Sequence, residues 1–333
     1  MTTEEIREVY GIMSDFAEST VPYQFVADLL PFIAKLPTAL HWWKGKARYY
    51  YDRQVHLWMK LWNQLSAKIV EGRAPECFVT KWQLTDKESS GITDLEGAFT
   101  AGTMIEAGSE STSSALYSCI KYLAMSPRVQ ERANEELSRA VRDQRSPSFD
   151  DHDQLVYIRA IAKEIVRLRP IAPVSPPHYT TADVIYKGYL IPKGSVISIG
   201  TYAIHYDESL HADPEAFFPE RYLGHPLTAG EYAAASDPYD RNHFTFGAGR
   251  RICAGLMFIM LAKLLWAFRI RPCIGPDGKE EILDTSDEGS VADSALTVSK
   301  PYRVQFVPRN EIRERTLVEE WRTAEREGYN VGS

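Results

Sequence analysis

Apolar and polar positions alternate with a helical period through most of the chain, and the exceptions mark its boundaries. Residues 1–92 read as helices joined by proline-marked bends, with Pro22, Pro31 and Pro37 bracketing the apolar patch QFVADLLPFIAKL. That patch is read as core, in preference to a lid or a membrane contact. Thr93 followed three residues later by Glu96 is a capping-box pattern, which predicts a long helix from Asp94 toward Met125 over the segment 93–125. Ser126-Pro127 starts a further helix, PRVQERANEELSRAV, whose many charges predict a solvated surface element. Another helix is expected over 154–169, ending before Pro170.

The period then changes. Between Pro173 and Tyr202 the residues are β-branched and aromatic with two Lys-Gly turns, which predicts a small sheet. From Asp207 to Asn242 no period is evident, and a loop of that length usually carries function. Residues 244–268 pass from a glycine- and arginine-rich loop into an apolar helix. The fold class predicted is mainly α with small β-sheets, an α+β chain.

Composition narrows the function classes. The 333 residues are 44% hydrophobic and 25% charged, an ordinary globular balance from which one compact unit is expected. With a formal charge of −7 and dispersed basic residues, no nucleic-acid partner is expected. Cys77, Cys119, Cys253 and Cys273 lie too far apart for a zinc site or a disulfide scaffold, which suits a reducing compartment. The acidic, amphipathic N-terminus lacks the form of a secretory signal, and the run from Gly255 to Phe268 is too short to span a bilayer. No transmembrane anchor is expected in this chain.

Three constellations carry chemistry. In FTFGAGRRICAGLMFIML, Cys253 stands beside cations and at the start of a helix, both of which favour a thiolate that attacks or binds metal. In AGSEST, a glycine and hydroxyls inside the long helix predict a kink or widened groove, and Glu110 among alcohols suits a proton relay. In KEIVRLRP, Glu164 and Arg167 are three apart on one helical face, within apolar flanks that predict burial, and Arg221 of FFPERYL is the candidate third partner. The aromatics of HWWKGKAR, Trp42 among them, are read as core.

This succession, from acid and alcohols on a long helix to Glu-x-x-Arg, Pro-Glu-Arg and Phe-x-x-Gly-x-Arg-x-Cys-x-Gly, resembles the cytochrome P-450 family of haem-thiolate monooxygenases. The details are similar to microsomal-class members of fungal secondary metabolism. The resemblance implies heme b as cofactor, with Cys253 as axial ligand of the iron. It further implies that Phe246 shields the sulfur, that Gly249 and Gly255 admit backbone N–H groups to it, and that Arg251 and His178 contact the haem propionates. Glu164, Arg167 and Arg221 would form a structural network behind the haem. Glu110, Ser111 and Thr112 would deliver protons, with Ser111 standing where threonine is usual.

Residues 1–92 would then be substrate-access helices, and the whole chain one domain corresponding to the C-terminal two-thirds of a family member, lacking its N-terminal helices. The activity implied is insertion of one oxygen atom from O2 into a small apolar substrate. Electrons would come from an NADPH-cytochrome reductase, at the cytosolic face of the endoplasmic reticulum membrane. A truncated, non-catalytic haem-binding or lipid-surface protein is the alternative. A dinucleotide-binding reading of GAGRRICAG fails, since Ile252 occupies the third glycine position.

Overall fold

The computed structural model describes residues 3–19, 25–37, 40–85, 89, 91–175, 177–225, 253–286, 289, 291 and 297–326, with the backbone alone at a few helical positions, Cys253 among them. It is mainly helical, and among the described residues the strands form three two-stranded antiparallel sheets. No helix among those residues is long and apolar enough to cross a membrane.

Contacts gather into two compact units, residues 1–110 with 329–333, and residues 111–328, where composition led to the expectation of one. The physical reason is that each has its own core. In the first, Val9, Ile12 and Met13, a helical i, i+3, i+4 stripe of Thr3–Ser19, pack with Leu57, Trp58 and Trp62 of the helix Gly45–Val70. Gly97 and Gly102 make room for the indoles. A Cβ at Gly97 would lie 2.6 Å from the Trp62 ring, and one at Gly102 2.5 Å from the Trp58 ring.

Two apolar segments of this unit are not core. Of QFVADLLPFIAKL, Ile33 is buried, but Leu29, Leu30, Phe32 and Leu36 are exposed, Phe32 to 64%. Trp42 is 76% exposed. The first segment is a four-residue helix, Val26–Leu29, followed by the 3₁₀ turn Pro31–Lys35 that carries Phe32, and Trp42 opens the 3₁₀ turn Trp42–Lys44. A three-residue repeat spreads successive side chains around the axis, so consecutive large groups have no common buried face.

The second unit is built on a larger core. Met257, Phe258, Leu261, Leu265 and Trp266 of the helix Cys253–Ala267 pack with Ile158, Ile161 and Ile165 of the helix Val156–Leu168. Pro127–Ala140 joins them. It is not the wholly solvated element its charges suggested, because Val129, Ala133 and Leu137 form a buried stripe and Gln130 is buried beside it. That amide donates to the carbonyls of Leu123 and Ile270, each at 2.8 Å, and accepts from the Ile270 N–H at 2.9 Å, so its burial is satisfied.

The sheet predicted over 173–202 is two hairpin-like pairs. β1 (His178–Tyr179) pairs with β4 (Val196–Ile197), and β2 (Val184–Tyr186) with β3 (Tyr189–Ile191). Lys187 and Gly188 close β2 to β3 with φ of 49° and 82°, the two left-handed residues of a tight hairpin turn. Gly194, at φ 83°, takes the left-handed position of the turn from Pro192 to Ser195. Further on, β5 (Phe268–Pro272) continues directly from the Cys253 helix and pairs with β6 (Val304–Pro308), after which the helix Glu311–Arg326 begins.

Candidate functional site

The long helix spans Asp94–Ala124. Its start is the expected capping box: the Thr93 N–H and hydroxyl both donate to Glu96 Oε2 at 2.8 Å, and the Glu96 N–H donates to Thr93 Oγ1 at 3.3 Å. The helix runs on through AGSEST. Ser109 Oγ donates to the Ile105 carbonyl four residues back at 2.5 Å, the back-bonding expected of a hydroxyl in this stretch.

Glu110 is the last residue of the first unit and Ser111 the first residue of the second. Glu110 is half-buried, and burial holds its carboxyl above the usual carboxylate range. Ser111 is half-buried and Thr112 buried. Gly108 behaves unlike Gly97 and Gly102, since a Cβ there would meet nothing within 4 Å among the described residues.

Glu164, Arg167 and Arg221 come together in the second unit. Arg167 donates from Nε to Glu164 Oε2 at 2.9 Å and from Nη2 to Oε1 at 3.0 Å, with both side chains fully buried. Arg221 adds a bond from Nε to Glu164 Oε1 at 3.1 Å, and the Phe218 N–H donates to the same oxygen at 2.9 Å. The arginines spend their other donors on carbonyls of the intervening segment: Arg167 on His205 at 2.9 Å, Arg221 on Ala212 and Asp213 at 3.0 and 3.2 Å. Burial alone would lower the Arg167 pKa, but the bond and charge of Glu164 raise it overall. This carboxylate thus pins the segment 205–221 to the helix Val156–Leu168.

The fold gives Cys253 a defined place. It is the first residue of a 15-residue helix, whose positive end favours a deprotonated sulfur. The donor chemistry there fits a thiolate-ligated haem iron. Phe246, Gly249 and Arg251, like the Cys253 side chain, lie outside the described residues. Gly255 is in the first turn of the same helix, and a Cβ there would approach Phe149 no closer than 3.8 Å. His178 is exposed on β1, paired with Ile197. The remaining cysteines are free thiols. Cys119 is buried and its pKa is pushed up by burial, whereas the exposed Cys77 is set low. Burial opposes that lowering of Cys77, and bonds from Thr80 and Val79, at the start of the helix Phe78–Thr85, outweigh it. This second helix-start thiol has the same local signal as Cys253, one that its sequence neighbours did not advertise.

The family described as Cytochrome P450 matches residues 40–306. The chain is 38% identical over 318 residues to the cytochrome P450 monooxygenase pgmC of Aspergillus terreus, covering 93% of this chain and 56% of that protein. It is 37% identical to the cytochrome P450 monooxygenase verL of Clonostachys rogersoniana, covering 97% of this chain and 60% of that one. The chain thus spans less than two thirds of the length of these relatives. A zebrafish cytochrome P450 structure with progesterone shares the fold with a TM-score of 0.67 at 23% identity, over 91% of this chain and 65% of its own.

Proposed function

The chain belongs to the cytochrome P450 family, and from that premise we propose that it is a haem-dependent monooxygenase acting on a small apolar substrate in a tailoring step of secondary-metabolite biosynthesis. The reading is carried by one observation: a half-buried acid and two alcohols follow one another on a long helix, and Cys253 opens another helix. Two relatives with over a third of their aligned residues in common are named monooxygenases, which supports it.

Haem, when bound, would supply the iron chemistry that activates O2. The chain's own residues hold and serve it. Cys253 provides the sulfur, and the helix dipole behind it stabilises the negative charge. By the family resemblance, Gly249 and Gly255 would admit backbone N–H groups to that sulfur, Phe246 would shield it, and Arg251 and His178 would hold the propionates. Glu110 keeps a proton on its carboxyl to higher pH than an exposed glutamate, because burial penalises its charged form. The hydroxyls of Ser111 and Thr112 accept that proton and donate it onward. Glu164, Arg167 and Arg221 position structure and touch no reactant.

Electrons come from an NADPH-cytochrome reductase, and the protein works at the cytosolic face of the endoplasmic reticulum membrane. The exposed Leu29, Leu30, Phe32 and Leu36 support contact with a lipid surface. The test is a reduced carbon-monoxide difference spectrum, followed by product analysis with reductase and NADPH. A thiolate-type band with a product heavier by one oxygen is expected; no such band after haem loading overturns the reading.

A further inference from the structure

At the far end of the helix that Cys253 opens, about 20 Å away at 1.5 Å per residue, lies a cleft of about 480 Å³ in the second unit. Five arginines line it: Arg142, Arg269, Arg271, Arg309 and Arg313. They face one lining carboxylate, Asp143, and Glu131, outside the lining, pairs with Arg269, so positive charge still exceeds negative by three in a chain whose formal charge is −7. Strand geometry explains part of the cluster, because Arg269 and Arg271 are two apart on β5 and share a face.

The five are not equivalent. Arg313, 3% exposed, is committed: Nε donates to Asp143 at 2.6 Å, Nη1 to Asn134 and the Trp266 carbonyl at 2.8 Å, and Nη2 to Ser138 at 2.9 Å. Arg309 donates only to carbonyls, those of Leu265, Phe268 and Gln130 at 2.7, 3.1 and 3.3 Å. Its nearest carboxylate, Glu131 at 4.0 Å, is already bonded to Arg269 at 2.7 Å. Burial, reinforced by Arg269 and Arg313, lowers its pKa to about 10. Arg142 and Arg271 are exposed, and their side chains have no hydrogen bond or ion pair among the described residues. The backbone of Arg142 is nevertheless held, since its carbonyl accepts from Trp266 Nε1 at 2.7 Å.

We propose that this cleft binds a polyphosphate group, of the kind carried by a nucleoside di- or triphosphate or by a phosphorylated lipid headgroup. Guanidinium forks match phosphate oxygens two at a time. A single carboxylate would leave most of the excess charge uncompensated, whereas a group with two or three negative charges balances it. The volume suits a small ligand. The site does not depend on the haem reading.

The test is calorimetric titration of the chain with orthophosphate, pyrophosphate and tripolyphosphate at physiological ionic strength, with flotation on phosphatidylcholine vesicles with and without phosphatidylinositol bisphosphate. Saturable one-site binding that tightens with phosphate number is expected. Arg142→Ala with Arg271→Ala should weaken it at least about tenfold, the worth of one charge-assisted fork, with an unchanged melting temperature. Arg322→Ala, an exposed arginine outside the cleft, should bind as the parent does. Soluble phosphates alone binding identifies a free polyphosphate. Variant-sensitive vesicle binding identifies a lipid headgroup. No saturable binding to any probe overturns the proposal, as does binding indifferent to the double substitution. Loss of reductase-driven electron transfer in the variant without phosphate binding would assign the cleft to an acidic protein and also overturn it.

Discussion

Arg167 and Glu164 meet through two parallel hydrogen bonds of 2.9 and 3.0 Å with neither side chain exposed to solvent. A buried pair of this kind does not add stability cheaply, but losing one member strands the other. Glu164→Ala or Arg167→Ala is therefore expected to cost about 3–5 kcal/mol, read as reduced soluble yield and a lower denaturant midpoint. Full stability in either variant would mean that the segment 205–221 is held by something else.

Cys253→Ala is expected to abolish the thiolate-type carbon-monoxide band, while Cys77, Cys119 and Cys273 each tolerate alanine in that assay. Cys77 is the instructive control. Its thiol sits at a helix start, and bonds from Thr80 and Val79 lower its pKa against the effect of burial, so a local thiolate signal is separated here from haem ligation. A band surviving in Cys253→Ala would reject the ligand assignment.

Ser111→Ala and Thr112→Ala should both retain haem and lose coupling to different degrees, measured as peroxide released per NADPH consumed. Ser111 directly follows the acid, so its loss is expected to uncouple more. The reverse order would place the working hydroxyl at the buried Thr112.

His205 and His211 give the stability a pH dependence of known sign. Burial, aided by His211 and Arg167, drives the His205 pKa from 6.5 to about 3, and burial with Arg167 and Arg221 drives His211 to about 4. Between 6.5 and those values the unfolded chain binds protons that the folded chain refuses. The contribution is thus complete above pH 6.5 and is lost as pH falls toward 4. His205→Asn should flatten the decline of unfolding free energy over that interval; parallel curves for parent and variant would contradict the assignment.

Gly102→Ala and Gly108→Ala should act oppositely, although they lie six residues apart on one helix. A methyl at Gly102 would press on Trp58, an overpacking worth about 1–3 kcal/mol of destabilisation. At Gly108 it meets nothing among the described residues, so the helical preference for alanine, worth about 1 kcal/mol, should stabilise the folded chain. Denaturant unfolding of the two variants decides the point.

The features legible in the sequence are local ones. The Thr93–Glu96 cap, the helix after it, the Lys187-Gly188 turn and the three-residue spacing of Glu164 and Arg167 all depend on atoms within one or two turns, where sequence spacing is spatial spacing. The family is legible for a related reason, since its motifs are short. Burial is not: Trp42, Phe32 and Leu30 are as apolar as the residues that pack, yet face outward, and Gln130 is buried despite its polarity. No neighbour in sequence distinguishes them.

Helical period and hydrogen-bond geometry are properties of adjacent residues, so the order of residues was enough for the long helix, its Thr93 cap and the positions of the cysteine, acid and alcohols; Arg221, the expected third partner of Glu164, is bonded to it. Tertiary packing added the Phe218 N–H as a further donor to that carboxylate. It also decided that arginines dispersed from 142 to 313 in an acidic chain share one cleft. Both outcomes depend on which distant surfaces exclude water together, and a buried charge or a shared electrostatic field exists only after that exclusion has taken place.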